Sequence, residues 1–316
     1  MDHRIAIIGA GVSGLTSGVV LAEHGYQAHL FAAEPPAQTT SAVAAAMWFP
    51  YDAEPADRVI PWALETYEVF RGLSRDPATG VSMIELRQFS RGAELPIPPW
   101  AEAFNPSSSA GTEFVMTVPL SDSSVYLDYL HQRLIAAGGT LTTGVRFAKP
   151  EDLDPSFGVI INCAGIGART LVRDPDLEPH RGQVVLVEKL ALPGAVVSDD
   201  PPLMYAIPRT HDCVFGGTNE ISEDLVADPA TTAAIMSECC AVLKVAPPRI
   251  IATRVGLRPY RKSGVRVEPD RTADGRALIH NYGHGGAGFT LSWGCARSVL
   301  DLVRAFSFPE TPGARH

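Results

Sequence analysis

Four arginines, Arg254, Arg258, Arg261 and Arg266, fall in one strand-like stretch late in the chain. Each carries a planar fork of fixed donors that can grip a carboxylate in a single pose. Tyr205 opens another apolar strand, Tyr205-Ala206-Ile207-Pro208, and offers a hydroxyl tip on an aromatic body. Such residues suit recognition of a small carboxylate in an otherwise apolar pocket.

A second group would hold a large anion. Gly9-Ala10-Gly11-Val12-Ser13-Gly14 follows the apolar run from Arg4 to Ile8 and opens a helical segment from Val12 to His24. This is G-x-G-x-x-G in its strand-turn-helix context. Gly9 permits the turn, Gly11 lets the backbone approach a pyrophosphate, and Gly14 lets the helix pack on the strand. The helix N-terminus then faces the phosphates. The next strand, Ala28 to Ala32, should end at a ribose-binding acid, and its end leaves Ala33 and Glu34 as the two registers. A later run, His280 to Thr290, carries four glycines and opens an apolar helix from about Leu291 to Phe306. That is a second helix N-terminus suited to a polarised oxygen.

These residues need a scaffold. The continuously apolar run 158–165 predicts a buried parallel strand reaching a cofactor. Residues 182–217 and 250–267 alternate like a mostly antiparallel sheet, and helices are predicted over 61–73 and 125–137. The segment 35–124, rich in Pro, Ser and Ala, reads as an excursion into a second domain. The fold class is therefore α/β. A Rossmann-type dinucleotide-binding domain (1–50, 125–178 and 268–316) is expected to interweave with a mostly antiparallel β-sheet substrate domain (51–124 and 179–267).

With 316 residues, 46% hydrophobic and 19% charged, the chain is globular and not disordered. A net charge of -9 with scattered Lys and Arg argues against nucleic acid, so one local cation must hold an anionic substrate. No apolar run approaches the roughly 20 residues of a membrane span. Five cysteines without a CxxC pair, and no secretory leader, point to reduced thiols in a cytoplasm and to no metal site. The C-terminal Gly313-Ala314-Arg315-His316 lacks a peroxisomal ending. Oligomeric state stays open, a homodimer being one option.

Taken together, the motifs resemble the D-amino-acid oxidase family, which includes D-aspartate oxidase. The resemblance runs through Gly9 to Thr16, Thr39 to Tyr51, Asn162-Cys163-Ala164-Gly165, Arg181-Gly182-Gln183, Tyr205 to Pro208, Gly256-Leu257-Arg258-Pro259 and His280 to Thr290. It implies non-covalent FAD, hydride transfer from a D-amino acid to flavin N5, and oxygen as the acceptor that becomes hydrogen peroxide. It also implies that Arg258 and Tyr205 bind the substrate carboxylate and that the Gly286 carbonyl accepts from the amine. Only the Gly-Leu-Arg-Pro context selects Arg258 from its neighbours. Thr39, Thr40 and Ser41 match the phosphate contacts, and Ala45, Ala46 and Met47 run past the flavin ring. Ala164, Gly165, Gly285, Gly286, Gly288 and Arg258 are also expected to contact the cofactor, with Phe289 and Thr290 at the flavin carbonyl end and Arg146 near the adenine.

Departures bear on the substrate. The loop 197–204 before Tyr205 is short and lacks the family's second tyrosine, and Asn219 stands where yeast-type members place one. Asn219, Met47 and Phe49 are expected in the substrate pocket. Neutral D-amino acids are favoured, since acidic ones would need a second cation, for which Arg209 and His211 are candidates. The competing readings are D-aspartate oxidase, a glycine or sarcosine-type oxidase, and a flavin- or NAD-binding regulatory protein.

Overall fold

The computed structural model describes residues 4–307, apart from 93 and 110. Strand β1 (Arg4–Ile8), helix α1 (Val12–Glu23) and strand β2 (Gln27–Ala32) form the opening unit. In β1, Ile5 and Ile7 are buried on one face and Ala6 and Ile8 on the other, as a parallel strand covered on both sides requires. The chain continues through α2 (Thr40–Val43), α3 (Ala56–Leu73), β3 (Val81–Phe89), β4 (Ser107–Ser109) and β5 (Glu113–Ser121). It returns by α4 (Ser123–Ala136), β6 (Thr140–Thr143), β7 (Val159–Asn162) and α5 (Ala168–Leu171). A second visit to the other sheet supplies β8 (Leu177–Glu188), β9 (Gly194–Ser198), β10 (Met204–Pro208), β11 (Asp212–Gly216), β12 (Glu220–Ile221), α6 (Pro229–Leu243) and β13 (Ile250–Arg261). The last pieces are β14 (Arg266–Arg271), β15 (Ala277–Tyr282) and α7 (Gly288–Ser307).

Six strands make one sheet, in the order β14-β15-β7-β1-β2-β6, parallel except for β14. Its register places Ile8, Phe31, Asn162 and His280 side by side at the carboxyl ends of their strands. The chain leaves β1 for β2 on one side and later fills β7 and β15 on the other, so strand order reverses at β1, where ligands of such sheets bind. The second sheet has nine strands and is antiparallel throughout except where β3 runs parallel to β9. The Rossmann-type sheet and its mostly antiparallel companion are thus both present.

Helix α3 starts five residues before the predicted Pro61, with Asp57 in its first turn and Pro61 inside it. It joins the two layers. Trp62 Nε1 donates to Ser298 Oγ of α7 (2.8 Å), and Thr66 Oγ1 accepts from the Trp293 and Gly294 amides (3.1 Å each). On its other side the Tyr67 hydroxyl donates to the Thr117 carbonyl of β5 (3.3 Å). This part of the 35–124 excursion therefore lies against the last helix as well as the second sheet. No helix among the described residues is long and apolar enough to cross a membrane.

Candidate active site

Both sheets contribute to one cavity of about 930 Å³, near the upper end of the roughly 300–1,000 Å³ typical of small-molecule sites. From the parallel sheet it takes the turn Gly9 to Ser13 and the strand ends at Ala33, Glu34, Ala164 and Gly165. The antiparallel sheet adds Gly182, Tyr205 and Arg258.

The turn is built for close backbone approach. Gly9 has φ +116°, and a Cβ there would lie 2.3 Å from the Cys163 carbonyl oxygen. Gly11 caps α1 with no side-chain hydrogen bond, and the first turn holds no acid, so the helix presents amides and the positive end of its dipole. Ser41 Oγ accepts from the Val12 amide at 3.0 Å, and a Cβ on Gly11 would meet that same oxygen at 3.0 Å. The Gly9 amide is spent on the Phe31 carbonyl (2.8 Å), and the remaining amides of a turn that tolerates no extra methyl fit the pyrophosphate of a dinucleotide. Thr39, Thr40, Ser41, Ala45, Ala46 and Met47 line the cavity, as do Arg146 and Glu34, which pair at 3.3 Å. Ala33 also lines it.

At the other group of residues, β13 pairs with β8 so that Gly256 faces Gly182, and Arg258 lies two residues further on the same face. Without a Cβ on Gly182 the guanidinium can lie flat over the strand, since one would meet its Nη2 at 2.5 Å. Arg258 Nη1 donates to the Thr218 carbonyl at 2.9 Å, and the same guanidinium acts on the Tyr205 phenol. Among the described residues no carboxylate pairs with Arg258. Its neighbours differ: Arg261 pairs with Asp174 (2.8 Å), Arg266 with Glu268 (2.7 Å), and the exposed Arg254 does not line the cavity.

Tyr205 rests over its cross-strand partner Gly216, where a Cβ would fall 2.0 Å from the ring. Burial pushes its phenol up, with the Arg258 guanidinium opposing. Tyr51 also lines the cavity. Burial raises its phenol, Arg258 pulls it down, and Asp52 and Asp199 push it back up. Its ring covers Gly286, a predicted site residue that lines the cavity with Gly285, Gly288 and Phe289.

Several expected residues fall elsewhere. Asn219 is exposed and does not line the cavity. Its Nδ2 donates to the Tyr51 hydroxyl at 3.3 Å. Thr290 is buried behind the wall, its hydroxyl exchanging hydrogen bonds with the backbone N–H and carbonyl of Phe49 (3.0 and 2.9 Å), so it positions a lining residue. Gly14 also lies outside the lining. A Cβ there would be 2.0 Å from the Gly9 carbonyl oxygen, which makes it a packing glycine. Neither proposed second cation reaches the cavity. Arg209 is buried against Asp212 (2.7 Å) and Ser123 (3.1 Å), and His211 is exposed in the turn between β10 and β11.

His284 lines the cavity unheralded by the sequence reading. The Asn281 amide donates to Ser17 Oγ (3.0 Å), which turns Asn281 Oδ1 toward His284 Nε2 (3.0 Å) and places the ring proton there. Nδ1 is left to accept from the Ser13 hydroxyl at 3.4 Å. Burial pushes this imidazole down to about 4. Since the unfolded chain takes up the proton near 6.5, the unfolded state binds more protons between those values, so stability falls as pH drops from 6.5 toward 4. The expected loss is about 3 kcal/mol. Urea unfolding of the holoenzyme across that range should show it, with a shallower slope for His284→Gln.

The family described as FAD dependent oxidoreductase matches residues 4–302. A D-amino-acid oxidase from Rubrobacter xylanophilus is 41% identical, covering 96% of both chains. Another from Streptomyces coelicolor is 40% identical over 96% of this chain and 97% of its own. This chain belongs to the D-amino-acid oxidase family of FAD-dependent oxidoreductases. Human D-aspartate oxidase is more distant within the D-amino-acid oxidase family, at 31% identity over 97% of each chain. In fold alone, the chain is similar to glycine oxidase from Geobacillus kaustophilus (TM-score 0.78, 17% identity, 96% of this chain and 95% of that one). For a member of the D-amino-acid oxidase family, what sequence reasoning missed is Tyr51, Asp199 and His284. Tyr51 and His284 lie inside runs that carried the resemblance, and Asp199 lies in the short loop before Tyr205.

Proposed function

We propose that the chain oxidatively deaminates D-amino acids to 2-oxo acids, ammonia and hydrogen peroxide, with FAD held non-covalently in the shared cavity. Bound FAD supplies the acceptor for the hydride lost from Cα and returns the electron pair to oxygen. Arg258 carries this reading: it is a guanidinium with no carboxylate partner among the described residues, lining the same cavity as the glycine-rich turn. A guanidinium has five donors. One is spent on Thr218 and one side meets Tyr205, which leaves a fork for the substrate carboxylate.

The Tyr205 hydroxyl adds a contact to that carboxylate, and Tyr51 supplies a second phenol from the segment between α2 and α3, not from the loop where the family places its second tyrosine. The Gly286 carbonyl would accept from the amine. Fixing carboxylate and amine at separate points leaves a single enantiomer with its Cα–H turned to the ring. Met47 and Phe49 form part of the apolar wall. Ala45 and Ala46 bring backbone against the flat ring, Thr39 to Ser41 and the Gly9 to Ser13 turn hold the phosphates, and Ala33 or Glu34 serves the ribose. In this arrangement the FAD-binding domain (1–50, 125–178 and 268–316) carries the cofactor, and the substrate domain (51–124 and 179–267) carries the substrate.

With Arg209 and His211 both outside the cavity, an acidic side chain finds no second free cation in the lining among the described residues, because the other lining arginine, Arg146, pairs with Glu34. A peroxide assay on D-, L- and N-methyl amino acids tests the reading. D-methionine should be turned over and L-methionine not, with kcat/KM for D-aspartate at least about 10-fold below D-methionine. Peroxide formed only from L-isomers or only from glycine and sarcosine would replace it.

A further inference from the structure

The cavity contains a carboxylate that the reaction does not use. Strand alternation puts Val197 and Asp199 on the face that Tyr205 occupies, because Tyr205 pairs directly with Val197. Both line the cavity, and Asp199 lies two residues on, about 7 Å further along the strand direction. Its Oδ2 accepts from Gln88 Nε2 at 2.9 Å, which anchors the group. Oδ1 has no protein partner among the described residues, and no cation there pairs with this carboxylate. The adjacent Asp200 is different, since it accepts from the Ser90 hydroxyl and the Arg91 amide (2.7 Å each).

Two charges thus share one cavity at different places. The Tyr51 phenol senses both Arg258 and Asp199, yet the two do not pair with each other among the described residues, and burial and the neighbouring Asp200 push the Asp199 carboxyl up. A substrate whose carboxylate sits on Arg258 therefore extends its side chain toward a free anion, with apolar stem contacts from Val197 and Leu203 on the way. We infer that Asp199 is a specificity-determining residue that ranks D-amino acids with long cationic side chains, of the lysine and arginine kind, above their neutral isosteres. The same anion repels acidic side chains. This narrows the expected preference for neutral substrates, and it rests on the oxidase reading proposed above.

The test compares kcat/KM for D-lysine, D-arginine, D-norleucine and D-alanine in the holoenzyme and in its Asp199→Asn and Asp199→Ser variants. A charge-assisted contact predicts a D-lysine to D-norleucine ratio well above one in the native enzyme. That ratio should fall about 10- to 100-fold in either variant. The native enzyme gives a second readout that needs no variant to fold: raising the pH through the lysine side-chain range, near 10.4, should erode the preference for D-lysine relative to D-arginine. A native ratio at or below one would overturn the inference, as would an equal loss for D-alanine and D-lysine on substitution, which would place Asp199 at the α-amine. If none of the four D-amino acids is oxidised, it is the oxidase reading that fails.

Discussion

Arg258→Leu leaves a yellow, folded protein whose kcat/KM for D-amino acids is lower by about 1,000-fold, the cost of losing a bidentate charge-assisted pair. The loss should appear as failure to saturate, because the guanidinium acts on the substrate carboxylate in the ground state and the transition state alike. Arg258→Lys restores the charge but not the fork and should recover part of the loss. FAD content is expected to persist, since the phosphate cradle is made by backbone amides of a different sheet. Flavin absorbance and steady-state kinetics on the two variants check both halves. A leucine variant with native affinity would remove Arg258 from the site.

Gly9→Ala attacks the cofactor side and should yield protein without FAD. The new Cβ would lie 2.3 Å from the Cys163 carbonyl oxygen, and φ +116° is a conformation that L side chains rarely adopt. Neither backbone can yield without separating β1 from β7, so the expected cost is several kcal/mol. Gly25→Ala is the matched control. That residue also has positive φ, +86°, but no atom lies within 4 Å of the added carbon. It should cost only about 1–2 kcal/mol and keep its flavin. The ratio of flavin to protein absorbance in the purified variants, with thermal unfolding, separates the two effects.

Local chemistry made part of this molecule legible. The glycine-rich turn could be read because each glycine answers a steric demand set by its immediate neighbours. The buried strands could be read because β1 and β7 are apolar on both faces. Arg254, Arg258 and Arg261 of β13 and Arg266 at the start of β14 could not be told apart by residue type, and the structure separates them by what neutralises each: Asp174 takes Arg261, Glu268 takes Arg266, and Arg258 is left facing the cavity.

What escaped the reading depends on pairing between distant segments. Asn219 was expected in the pocket on its position after Gly217 and Thr218, but it is exposed and instead supports Tyr51, 168 residues away. Asp199 carries no local signal beyond its place in a short loop. Its exposure to the cavity follows from the β9–β10 register. Arg209 looked available until its cross-turn partner Asp212 and the distant Ser123 were placed around it. Helix α3 read as part of the excursion, yet Trp62 and Thr66 dock it on α7 at positions more than 200 residues later.

The most direct test is to mix the holoenzyme with D-methionine or L-methionine under nitrogen and follow the flavin colour. If Arg258 orients the substrate as described, the D-isomer bleaches the visible band and the L-isomer leaves it intact. Persistent colour with D-methionine and every other D-amino acid, or bleaching by the L-isomer instead, would contradict the account.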